Sequence, residues 1–254
     1  MANPVNFSGP YLKAERAKHH IDHLETIFKA YVAQNIKALT PKYNRKVGPR
    51  RLASGFPRHT PTILGDALHN LRAALDHAYC ELVRANDHTV HERSFFPIVN
   101  PNGKDNWQSR KGSMEGHEGT GNGPGAHIIK ALDEEVQPYP GGNGDDLTKL
   151  HALDIADKHM VLLPTQQQTD AEDIMFENGP VMQGIRLVHQ EDASPVFAPT
   201  FRLNPYYNNK ASFEICFGKG QPFEGEPVLP ILKDLARRVD ETFRLLERRA
   251  KETP

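Results

Sequence analysis

The sequence predicts an α+β protein: a bundle of four or five helices with a small antiparallel β-sheet in the C-terminal half. Three observations lead there. Apolar residues recur at helical spacing in the segments near 11–39, 60–85, 126–137, 145–163 and 226–250. Between the last two, the period falls to two across 172–217. The 254 residues, 38% apolar and 25% charged, are enough for one substantial core, so 1–254 is read as a single domain.

The first helix follows the start signal Ser8-Gly9-Pro10, and Ala17, Ile21, Leu24, Phe28 and Tyr31 form its stripe. Residues 41–56 are basic and irregular, a short strand or an arm carrying Lys42, Arg45, Lys46, Arg50 and Arg51. Thr60-Pro61 opens the second helix, with Pro placed where its missing N–H costs little. The run RSFFPIV at 93–99 predicts a short buried strand. Residues 100–125, rich in Gly, Asn and charge around the single Trp107, predict a long mobile loop, either disordered or a lid.

A short helix at 126–137 buries Ile128, Ile129, Leu132 and Val136, and Pro140-Gly141-Gly142 stops it. The helix at 145–163 ends at Pro164, so the helical core near 126–163 holds two helices. Strands are expected at 172–177, 184–190, 196–203 and 211–217. The last helix, 226–250, lines up Leu229, Leu232, Leu235, Val239, Phe243 and Leu246 opposite a basic face.

Composition excludes several roles. A net charge of -1 provides no global field for nucleic acid or anionic membrane. No segment is long and apolar enough to span a bilayer, and MANPVNFSGP lacks the form of a secretory signal. Two cysteines, Cys80 and Cys216, do not make a disulfide framework. A cytoplasmic protein is the expectation. Walker loops, a G-x-G-x-x-G turn, a G-x-S-x-G elbow and paired C-x-x-C motifs are all missing from the sequence.

The polar residues of two helices stand out. On the second helix, Asp66, His69, Asn70, Asp76 and His77 share a side opposite Leu64, Leu68, Leu71, Leu75, Ala78 and Leu82. A solvated face ordinarily carries Lys, Glu and Gln, whereas short Asp, Asn and His suit directed hydrogen bonds. On the helix at 145–163, His151, Asp154 and Lys158 lie within the apolar face, flanked by Asp157 and His159. Polar groups embedded in an apolar stripe must be paired, since a lone buried charge costs several kcal/mol. The two polar sets are therefore expected to face each other. Such a network could do no more than fix helix register.

Arg72-Ala-Ala-Leu-Asp-His77 fits an Arg-x4-6-His pattern and in that respect resembles HEPN ribonucleases, which are helical bundles. GDALHNLRAALDH and LHALDIADKH also resemble a family of bacterial proteins to which no function is attached, with the motifs GDxxHNLRxxLDH and LHxLDxxDKH. The HEPN resemblance implies a metal-independent endoribonuclease of a defence or toxin type, active as a homodimer on RNA. His77 would then be the acid–base group and Arg72 the phosphate-binding one. The same pattern occurs at Arg16/His23, Arg84/His91 and Arg110/His117, but only Arg72/His77 falls in the dense polar segment. Ala73 stands where the family often has a polar residue.

Two alternatives stay open. Asp66/His69 and His151/Asp154 each place a carboxylate and an imidazole one turn apart, a spacing that suits Fe, Mn or Zn. His19, His23, His77 and His159 are further candidate ligands. Alternatively, the chain is a non-catalytic nucleic-acid or protein interaction module. Arg237, Arg238, Arg244, Arg248 and Arg249, with the basic arm, would then grip phosphates unless they are a solvated helix face.

Overall fold

The structure, a computed structural model, describes residues 4–39, 57–159, 165–172, 174–175, 181–182, 185–189 and 210–252. These are mostly helical, and no helix among them is long and apolar enough to cross a membrane. Six α-helices are described: α1 (Ser8–Leu39), α2 (Thr60–Ala85), α3 (Trp107–Gly119), α4 (Ala126–Ala131), α5 (Asp145–His159) and α6 (Val228–Lys251). A π-helical turn, Leu132–Val136, continues α4.

The chain groups into two compact units. The first combines residues 1–21, 63–162 and 230–254, and the second 22–62 and 163–229. In the second unit, β1 (Thr165–Glu172) pairs antiparallel with β4 (Ile185–His189) and with β5 (Lys210–Phe217). The short β2 (Ile174–Met175) and β3 (Val181–Met182) pair with each other. The expected strand at 196–203 and the basic arm at 42–51 lie outside the described residues.

The helices of the first unit form where apolar periodicity and start signals coincide. Leu64, Leu68, Leu71, Leu75 and Leu82 of α2 are fully buried, as are Leu147, Leu150 and Leu153 of α5. The C-terminal helix returns antiparallel to α1. Phe243 packs edge-to-face with Phe7 and Tyr11, with ring centroids 5.6 and 5.3 Å away, and Lys18 reaches Asp240 at 2.6 Å.

Two expectations are overturned. Residues 100–125 are not one long loop, because 107–119 form α3. Gly112, Gly116 and Gly119 make this a poor helix in isolation, each costing about 1 kcal/mol relative to Ala. Tertiary contacts supply what propensity lacks. Asn106 caps the Ser109 N–H at 2.9 Å, and Trp107 and Met114, two turns apart, are buried. Asp133 accepts both the Trp107 indole N–H and the Lys111 ammonium at 2.6 Å.

In the segment 93–99, Ser94 and residues 96–99 are buried, but the segment is not a strand. In place of a ladder partner it has side chains of α2. The Phe96 N–H donates to Asp76 Oδ1 at 2.9 Å, and the Phe96 carbonyl accepts from Arg72 Nη2 at 3.1 Å. A buried peptide group needs a partner of some kind, and here an ion pair performs the task of a neighbouring strand.

Candidate functional site

The polar residues of α2 and α5 meet in the first unit along a seam anchored by two buried charges. Arg72 is 5% exposed and all three of its guanidinium nitrogens are engaged. Nη1 donates to Asp76 at 2.6 Å, Nη2 to the Phe96 carbonyl, and Nε to His151 Nδ1 at 3.2 Å. Arginine has only donors, so Nδ1 of His151 is the acceptor and its proton sits on Nε2. The neutral form is favoured further by burial and by the neighbouring Arg72 charge, which depress the His151 pKa to about 4.

Asp154 is 3% exposed and is the second anchor. Its Oδ2 accepts from Lys158 at 2.7 Å, and its Oδ1 lies 3.2 Å from His69 Nδ1. An ionised carboxylate only accepts, so the His69 proton is on Nδ1 and the Nε2 lone pair is left free in the neutral ring. That ring is half-exposed, with side-chain exposure of 50%. The arrangement is a half-exposed histidine held in one tautomer by a buried carboxylate.

Asp157 lies along the same seam, packed on the bare backbone of Gly65. A β-carbon there would fall 2.3 Å from its Oδ2. Burial, then the charges of Asp154 and Asp66, raise its pKa. Apolar periodicity does not pick out Gly65, although a glycine inside a strong helical pattern is itself a signal of close approach.

The other expected members are placed differently. Asn70 turns back on its own helix, donating to the Asp66 carbonyl at 2.8 Å, and Asp66 is exposed. His77 is exposed and lies five positions after Arg72, so the two side chains leave α2 about 140° apart. Within one chain Arg72 and His77 are not brought together. The backbone of His159 belongs to α5, but its side chain lies outside the described residues.

The seam has an edge that the sequence does not reveal, because Gly112, Gly116 and Gly119 of α3 point to a loop. Arg110 of α3 lies over the Phe95 ring, 5.6 Å from its centroid, and pairs with Asp105 through Nε at 2.8 Å and Nη2 at 2.5 Å. Burial alone would raise the Asp105 pKa, but its backbone and Arg110 hydrogen bonds outweigh that and hold it low. His151 also contributes to that lowering, which places Arg110 and Asp105 within electrostatic reach of the seam.

The alternative chemistries find less. Among the described residues, no three or more His, Cys, Asp or Glu side chains are grouped to hold a metal ion. Asp154 and His151, two of the four ligands expected from the sequence, are spent on Lys158 with His69 and on Arg72. On α6, Arg237 pairs with Asp234 and Glu241, Arg238 with Asp146, and Arg249 with Glu135 and Glu252. These three arginines are committed to carboxylates. No protein-family model, curated protein or solved structure matches the chain in comparisons with known proteins.

Proposed function

We propose that the α2–α5 seam is an acid–base site that cleaves RNA without a metal, the activity implied by the HEPN resemblance, and that His69 is its proton-transfer group. The observation carrying this reading is the exposed His69 ring held in one tautomer by buried Asp154. In the proposed step the ribose 2′-oxygen attacks phosphorus while its proton passes to His69 Nε2. The bond to the 5′-oxygen breaks, and that oxygen leaves with a proton from solvent. The products are a 2′,3′-cyclic phosphate and a 5′-hydroxyl. Histidine suits the task because it changes charge near neutral pH. Buried Arg72 is a positioning residue here, since each of its three nitrogens already donates, to His151, Asp76 and Phe96. His77 would join this site only from a second copy of the chain.

The test is incubation of the purified protein with labelled structured and unstructured RNA in the presence of chelator. Cyclic-phosphate products are expected, reduced about 10²–10⁴-fold by His69→Ala and by Asp154→Asn. Cleavage that survives both substitutions overturns the assignment. Loss in His77→Ala with retention in His69→Ala would return the role to His77.

A second reading has one observation in its favour. Among the described residues of the seam, the carboxylates Asp66, Asp76, Asp105, Asp154 and Asp157 outnumber the fixed cations Arg72, Arg110 and Lys158. That balance attracts a cation more readily than a phosphate. Thermal unfolding with and without Fe, Mn or Zn separates the two. Stabilisation by one metal that is lost in Asp66→Ala and His69→Ala would favour the metal site.

A further inference from the structure

Phe95 is exposed in a stretch that is otherwise closed. Ser94, Phe96, Pro97, Ile98 and Val99 are buried, yet Phe95 is 40% exposed. The backbone explains why it cannot turn inward. Arg72 and Asp76 bind both peptide groups of Phe96, which fixes that ring inside and directs its neighbour outward. Phe95 therefore presents an aromatic face to solvent one residue from the clamp that also holds His151. The Arg110 guanidinium lies over this ring and is itself immobilised by the two contacts to Asp105. An exposed aromatic ring with a held guanidinium at cation–π distance is an arrangement that accepts a further flat π-system.

We propose that Phe95 and Arg110 form a stacking platform for a planar aromatic ring, and that its ligand is a nucleobase of single-stranded RNA lying along the seam. The choice of RNA rests on the function proposed above, whereas the platform geometry does not. Arg110 and Asp105 cancel in charge, so this contact contributes stacking and little phosphate attraction. One stacked base changes affinity on the order of tenfold and is tolerant of sequence. The platform's share of binding is also nearly independent of salt, unlike a phosphate grip.

The experiment uses a single-stranded 2′-O-methyl oligonucleotide containing 2-aminopurine. It cannot be cleaved through a 2′-hydroxyl, so binding is read apart from activity. Quenching of the 2-aminopurine is expected on addition of the protein. Phe95→Ala and Arg110→Ala should each weaken binding about tenfold with little change in salt dependence, while Phe95→Trp retains it. Circular dichroism confirms that the variants are folded. Equal binding by wild type and Phe95→Ala, or no binding of any oligonucleotide by the folded protein, overturns the proposal. So does preferential capture of an aromatic peptide at the same residues. Phe95-dependent binding without cleavage of ordinary RNA sinks the ribonuclease reading and leaves the platform standing. Cleavage with KM and binding unaffected by Phe95→Ala does the reverse.

Discussion

Replacing His151 with asparagine tests the electrostatics of the seam without any assumption about its activity. Asn places a carbonyl oxygen near the position of Nδ1, so the Arg72 Nε–H keeps an acceptor and the titrating ring is removed. The folded protein holds the His151 pKa at about 4, against an ordinary value of 6.5. Below pH 6.5 the unfolded chain takes up a proton that the folded chain refuses until about pH 4. Stability therefore falls as pH drops through that window, by about 1.4 kcal/mol per unit and about 3 kcal/mol in all. Urea unfolding of both proteins from pH 8 to pH 4 measures this directly, because the contributions of all other groups cancel in the difference. At pH 8 the variant should lie within about 1 kcal/mol of wild type, the worth of a hydrogen bond of altered geometry. By pH 4.5 it should be the more stable by about 2 kcal/mol. Parallel curves across the range would refute the argument, since they would mean that His151 is not held neutral by burial beside Arg72.

Further substitutions test the packing around the site. Asp133→Ala removes the shared partner of Trp107 and Lys111, so the emission of the sole tryptophan should shift red and amide exchange across 107–119 should accelerate. Unchanged spectra would show that Asp133 does not hold α3. Gly112→Ala and Gly116→Ala meet open space, and each should raise stability by about 0.5–1 kcal/mol; a lowered Tm would count against a helix there. Gly65→Ala should cost about 1–3 kcal/mol because its β-carbon strikes the Asp157 carboxylate. Adding Asp157→Ala should recover much of that loss, and additive penalties would contradict the contact. Asp76→Ala leaves Arg72 buried with one fewer partner and should cost about 3 kcal/mol or more, measured by the same urea titration. A cost under about 1 kcal/mol would mean that Arg72 escapes to solvent.

What the sequence determined by itself was whatever is encoded locally. The bounds of α2 follow from Thr60-Pro61 and an unbroken leucine stripe, and those of α6 from another stripe opposite a basic face. Both depend on neighbours three and four residues apart, which one helix contains. The meeting of α2 with α5 was legible for a related reason: Asp154 inside an apolar face had to have a partner, and α2 offered histidines. The tertiary structure decided which groups paired. Arg72 was claimed by His151, Asp76 and the Phe96 carbonyl, leaving His77 outside and giving the oriented ring to His69. It also made a helix of 107–119, whose glycines argue against one, and withheld a strand from 93–99, whose apolar run argues for one. In each case the deciding partner is distant in the chain: Asp133 for Trp107 and Lys111, Asp76 and Arg72 for Phe96. A hydrogen bond to a buried side chain outweighs a propensity of about 1 kcal/mol or less per residue, and which side chain arrives there is set by how the helices pack.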